Sequence, residues 1–256
     1  MSKVYEALMK AGNGGNRVAS DQDKILTAAA RLLKNGRRPP KINFNPEPHL
    51  EEQYHRVRRH LLLDPKHSGM KVIMVAATDH GEGGTTTAAT LASTLARSKN
   101  FKTLLIDANL RTPALEDVFV GQRNPVGLSD VVLSGADLDA SIYETRYSNL
   151  FVLPSGKAVS SPSYIFDGNA LSGLLDRLRE RFDFIIFDGS PLDAYSESSF
   201  LASKVDGVIL VVEAERTKIE VARRIKKELE SAGVNLLGVV LNKKRRYFPE
   251  FLERFL

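Results

Sequence analysis

Along this chain of 256 residues, short, predominantly apolar runs alternate with stretches whose apolar positions fall three and four apart. The runs cover residues 72–77, 102–107, 150–153, 182–188, 207–212 and 236–241. None approaches the ~20 residues needed to span a bilayer; 72–77 and 102–107 read as buried strands and the other four as further strands. Helical spacing covers residues 49–63, 85–96, 127–134 and 169–181, the last with Leu171, Leu174, Leu175 and Leu178 on one face. A further helix opens at Thr217, where Glu220 three residues on completes a capping box, and closes at Gly233. Strands alternating with helices predict an α/β fold with a mostly parallel, doubly wound sheet covered on both faces. Ahead of it, residues 2–11 and 21–33 read as amphipathic helices, and four prolines between 37 and 48 mark an extended linker. The predicted organisation is a helical N-terminal extension over 1–48 and one domain over 49–256.

The stretch 71–96 carries the most chemistry. A buried strand runs into Asp79-His-Gly-Glu-Gly-Gly84, and a helix begins at Thr85. Strand, glycine turn and helix N-terminus make an anion site, because backbone N–H groups converge there and the helix dipole favours negative charge. The usual phosphate loop reads Gly-x-x-x-x-Gly-Lys-Ser/Thr. Here Gly83, Thr85 and Thr86 match its end, Thr78 stands at the opening glycine, and Gly84 replaces the lysine. The fold expected is therefore of the P-loop NTPase type, with Gly81, Glu82, Gly83, Gly84, Thr85 and Thr86 as the nucleotide cradle and its cation missing. Ligands in such sheets bind at the carboxyl ends of strands, and Asp107, Asp188 and Asn242 all stand at such ends. Thr85 with strand-end carboxylates Asp107 and Asp188 is the oxygen set that a nucleotide-bound Mg²⁺ needs. Asp188 would hold the ion through a water, and Asp107 would orient or deprotonate an attacking hydroxyl. Asn242 offers a donor and an acceptor, which suits an adenine edge. Strand-terminal Asp and Asn also cap turns, so the glycine loop is what tips this set toward function. His80, inside the loop, and Arg111 are the candidates to replace part of the lost positive charge.

Composition narrows the classes without naming one. Hydrophobic residues at 43% and charged residues at 26% are ordinary for a globular protein, and the absence of cysteine excludes disulfides and thiolate metal sites. The start, Met-Ser-Lys-Val-Tyr-Glu, lacks the apolar core of a signal peptide. The net charge of +5 gathers in clusters at 37–41, 56–60 and 243–246, which suit an acidic partner or an anionic membrane surface. No nucleic-acid-binding motif accompanies them. The five histidines, at 49, 55, 60, 67 and 80, show no metal-ligand spacing.

Several segments together resemble the cytoplasmic bacterial tyrosine kinases (BY-kinases) of polysaccharide synthesis and export, which are deviant Walker-A ATPases. They are Ser2-Lys-Val-Tyr-Glu-Ala-Leu, Gly81-Glu-Gly-x-Thr-Thr86, Leu105-Ile-Asp-x-x-Leu-Arg-x-Pro113, Gly127-Leu-Ser-Asp-Val-Val, Phe182-Asp-Phe-Ile-Ile-Phe-Asp188, Val205-Asp-Gly-Val-Ile-Leu-Val-Val212 and Leu241-Asn-Lys-Lys-Arg-Arg-Tyr-Phe-Pro-Glu-Phe. The resemblance implies ATP or ADP with Mg²⁺ as cofactor, Asp107 as the first Walker A′ aspartate and Asp188 as the Walker B aspartate. It also implies a membrane polysaccharide co-polymerase or synthesis complex as partner, a place at the inner face of the membrane, and homo-oligomers built through Glu52 and Arg58. The departures are specific. Gly84 replaces the lysine, Asn109 the second Walker A′ aspartate, Asp188-Gly-Ser-Pro191 the usual Asp-Thr-Pro-Pro, and His55 the middle arginine of the ring-forming pattern. The family's tyrosine-rich tail is absent, with Tyr247 standing alone. Together they predict a degenerate, pseudokinase-like member. The alternatives are an active autokinase or ATPase with a remodelled loop and, more distantly, a partitioning- or placement-type ATPase.

Overall fold

The computed structural model describes residues 48–97, 101–121, 124–167 and 169–244. The helices expected at 2–11 and 21–33, the linker up to residue 47, and Tyr247 lie outside them. The described elements are α1 (Pro48–Leu63), β1 (Val72–Ala77), α2 (Gly84–Ala96), β2 (Thr103–Asp107), α3 (Leu128–Ser134), α4 (Leu138–Ser141), β3 (Tyr143–Glu144) and β4 (Leu150–Leu153). They continue with α5 (Ser163–Asp167), α6 (Asn169–Arg181), β5 (Phe184–Asp188), α7 (Glu197–Ala202), β6 (Gly207–Glu213), α8 (Ile219–Ser231) and β7 (Leu236–Asn242).

All six apolar runs are strands of one sheet, in the order β3-β4-β2-β5-β1-β6-β7. Every pairing is parallel except β3 with β4. The two-fold alternation of strand side chains divides the core in two. Val72, Met74 and Ala76 of β1 face one layer with Ile185 and Phe187 of β5, packed against α3, α6, α7 and α8. Ile73, Val75 and Ala77 face the other layer with Leu105 and Ile186, packed against α1 and α2. Because both faces are covered, β1, β2 and β5 are buried at every residue. Helix α2 is nearly as deep, since α1 covers its outer side and the Tyr54 hydroxyl on α1 donates to Thr87 Oγ1 at 3.2 Å.

The topology makes the crevice. Strands β1 and β5 lie side by side, but the chain leaves β1 into α2 on one face and leaves β5 toward α7 on the other. That divergence opens a cleft at their carboxyl ends. The edge strand β3, only two residues long, was not visible in the apolar pattern, nor were the short helices α4, α5 and α7. One expectation is corrected: α8 begins at Ile219 with Lys218 as its cap residue, and no capping box forms. The Thr217 hydroxyl is committed elsewhere, accepting from Glu213 N at 2.9 Å and donating to Glu82 Oε1.

Candidate functional site

The phosphate loop is folded around its own glutamate. Glu82 is 1% exposed, and its Oε2 accepts from Thr78 N at 2.9 Å, Asp79 N at 3.0 Å and the Thr78 hydroxyl at 2.5 Å. The ends of β6 and β7 brace the loop from outside. Asn242 Nδ2 donates to Glu82 O at 2.8 Å, and Lys243 Nζ reaches Gly81 O at 2.5 Å and Glu213 Oε2 at 3.1 Å. Asn242 Oδ1 accepts from Lys243 N at 2.9 Å, so both ends of that amide are engaged by the protein.

Two glycines in the loop differ in what they demand. Gly83 caps α2 at φ 96°, and a Cβ there would lie 2.1 Å from Asn242 Nδ2. Gly83→Ala is therefore expected to destabilise the fold by about 2–4 kcal/mol, from left-handed strain and the displaced amide together. In thermal melts, adding Asn242→Ala should recover part of that loss, since the clash goes and the strain remains. Gly84 has no such constraint: its Cβ would meet only Ala77, at 3.4 Å. Helix α2 has no side-chain cap and no acidic residue in its first turn, so its leading N–H groups stay open to an anion.

Beside the loop stand two buried carboxylates. Asp107 and Asp188 occupy register partners on β2 and β5, exposed 0% and 1%. Asp107 is fixed by the backbone: Oδ1 accepts from Asn109 N at 3.1 Å, and Oδ2 from Ala114 N and Leu115 N at 3.0 Å each. Both Asp188 oxygens are buried without a hydrogen-bond partner. The Thr85 hydroxyl lies beside Asp188 and favours its ionised form, short of closing a well-formed hydrogen bond. Burial pushes the Asp107 carboxyl up to about 7, against the pull of its three N–H bonds. Burial, and then the neighbouring Asp107 charge, hold Asp188 well above the ordinary carboxylate range. Orphaned carboxylate oxygens next to a hydroxyl fit a hard divalent cation. Thr85 and Asp188 would hold it, with Asp107 alongside.

Arg111 stands opposite. Its Nε donates to Glu197 Oε1 at 2.5 Å, and its guanidinium lies 4.7 Å from the Tyr195 ring centroid. The Tyr195 hydroxyl meets His80 Nε2 at 3.1 Å. A chain of contacts thus runs from the loop through Tyr195 to Arg111. Asn109, read from the sequence as the replacement for the second Walker A′ aspartate of the resembled family, accepts through Oδ1 from the Thr112 and Ser190 hydroxyls at 3.1 Å each. Sequence reasoning missed Tyr195, Glu197, Thr217 and Lys243, whose contacts with the loop and Arg111 span from 86 to 162 residues. Glu52 lies apart from this site on α1, paired with exposed Arg56 at 3.2 Å, and half-buried Arg58 follows on the same helix.

A family model described as an AAA domain matches residues 70–235. Tyrosine-protein kinase CpsD of Streptococcus agalactiae is 32% identical over 193 residues, covering 75% of this chain and 83% of the relative. Tyrosine-protein kinase YwqD of Bacillus subtilis is 31% identical over 194 residues, covering 76% and 81%. Among solved structures, the chimerical protein CapA2B2 superposes with a TM-score of 0.73 at 29% identity, covering 78% of this chain and 87% of that one. The VpsO kinase domain gives 0.69 at 29%, covering 88% and 98%. With the glycine loop, the paired strand-end aspartates and the sheet order in place, these matches show that the chain belongs to the bacterial tyrosine kinase family of P-loop ATPases.

Proposed function

We propose that this chain is a degenerate member of the family that has lost efficient phosphoryl transfer. In this reading it regulates or scaffolds the synthesis and export of extracellular or capsular polysaccharide, beside a membrane co-polymerase. The observation that carries the reading is Gly84, a loop position where a Cβ would meet only Ala77, at 3.4 Å, and where no side chain is present. The charge that a loop lysine would place against the nucleotide phosphates is missing, while the loop itself is fully folded. Mg²⁺, when bound, would neutralise phosphate oxygens. Thr85 and Asp188 would hold it, and Asp107, anchored by three N–H groups, would accept a proton from an attacking hydroxyl. Asn109 in place of a carboxylate removes one negative charge from that neighbourhood. Loss of the arginine at His55 supports weaker ring assembly through Glu52 and Arg58. No described helix is long and apolar enough to cross a membrane, and membrane proximity in this reading comes through the partner.

The purified chain with ATP and Mg²⁺ is expected to show no tyrosine phosphorylation above that of Asp107→Ala. Phosphorylation that Asp107→Ala abolishes would sink the reading. It would favour an active kinase with a remodelled loop, for which the anchored Arg111 beside Tyr195 and His80 is the supporting observation.

A further inference from the structure

We propose that His60, Asp64 and His67 form a site for a late first-row divalent metal ion, zinc above all, where α1 hands the chain to β1. The site stands apart from the nucleotide chemistry. One prospective ligand atom from each of the three lies within 4.8 Å of the other two. The sequence hid the site because its spacing is not that of one helix. His60 and Asp64 are one turn apart and share a face. Asp64 then ends the helical run and caps a 3₁₀ turn, Pro65–His67, accepting from Lys66 N at 3.0 Å. That turn folds His67 back until its ring meets His60 edge to face, 5.2 Å between centroids.

Two features of the cluster ask for an ion. His67 Nδ1 is buried without a hydrogen-bond partner, a state that costs about 1–3 kcal/mol unless something fills it. His60 Nε2 and Asp64 Oδ2 stand 3.8 Å apart, too far for a hydrogen bond, so neither meets the other's needs. Two imidazoles and one carboxylate are a zinc-type donor set, whereas Mg²⁺ and Ca²⁺ favour oxygen shells. Ligands around a tetrahedral ion with ~2.1 Å bonds lie about 3.4 Å apart, so the widest pair, within 4.8 Å, closes by at most about 1.4 Å, and His60 and Asp64, 3.8 Å apart, by less. The His60 side chain, 63% exposed, is free to make that move. Arg56 and Arg59 line the same open depression; Arg56 is already drawn to Glu52, and both are long enough to turn to solvent. A fourth position would be left to water. The bound ion would staple the last turn of α1 to the segment that enters β1.

The full chain, stripped with chelator, is titrated with Zn²⁺ by calorimetry, beside His60→Ala, His67→Ala and Asp188→Asn. We expect one Zn²⁺ per chain, weakened about tenfold or more in each histidine variant and unchanged in Asp188→Asn. Zn²⁺ should also raise the melting temperature of the natural chain and leave that of His60→Ala where it was. Because His60 is exposed, its variant folds even if His67→Ala does not. Absence of Zn²⁺ binding, equal binding by His60→Ala, or binding lost only in Asp188→Asn would each overturn the site.

Discussion

Gly84→Lys is expected to bind ATP with Mg²⁺ some 10- to 100-fold more tightly than the natural chain. The gain comes from a charge-assisted contact of about 1.5–3 kcal/mol between the ammonium and the phosphates. The effect on transfer should be larger, about 10²–10³ in rate, because a preorganised cation acts most strongly where charge develops. The structure makes the substitution a fair test. A Cβ at Gly84 meets only Ala77 at 3.4 Å, and the backbone there is not left-handed. Gly84→Ala is the control: it should fold as well as the natural chain and gain no affinity. Calorimetry on all three proteins reads the outcome. If lysine and alanine bind alike, the loop is no longer shaped to use a cation, and the loss lies deeper than one residue. If the natural chain already binds in the micromolar range, another group, with Arg111 first in line, has taken over the lysine's work.

Asp188→Asn is expected to stabilise the metal-free protein at pH 8 by about 1–3 kcal/mol, the usual cost of a buried polar group left without a partner, read as a rise in melting temperature. Both aspartates have pKa values raised in the folded state, Asp107 to about 7. A raised carboxyl pKa gives stability that is fully present below the ordinary carboxylate range and is lost as pH rises through the folded value. The metal-free chain should therefore lose stability relative to Asp188→Asn as pH rises from the ordinary carboxylate range through neutrality. Taking the difference between the two proteins isolates the pair from the other titrating groups. Millimolar Mg²⁺ should restore the natural chain by mass action and leave the variant unmoved. A variant less stable than the natural chain at pH 8 without metal would show that the Asp188 charge is already compensated within the protein.

The elements that could be read in advance are those whose burial is written into local pattern. The central strands β1, β2 and β5 showed because a strand covered on both faces is largely apolar; β7 showed by the same pattern although it lies at the sheet edge with Val239 and Leu241 exposed; α6 showed because its four buried leucines share one face. The topology then placed Asp107, Asp188 and the glycine loop at one end of the sheet without any knowledge of side-chain contacts. What stayed hidden depends on distant partners. Thr217 and Glu220 satisfied a capping pattern, yet the hydroxyl found stronger employment on Glu82. Lys243 read as part of a basic cluster, and only the fold brings its ammonium to Gly81 O. Strand β3 pairs through two residues at an exposed edge, too few to leave a periodic trace. His60 and His67 escaped because a spacing rule written for one helix fails across a helix end.

Glu82 holds the loop in shape from within, by bonds that involve neither nucleotide nor metal. Shape and charge at this site are therefore separable traits. Exchanging the loop lysine for glycine removes the charge and leaves the bonds that shape the loop. In the reading proposed above, retirement from catalysis would require no passage through a damaged intermediate, because the bonds that shape the loop do not depend on the reaction.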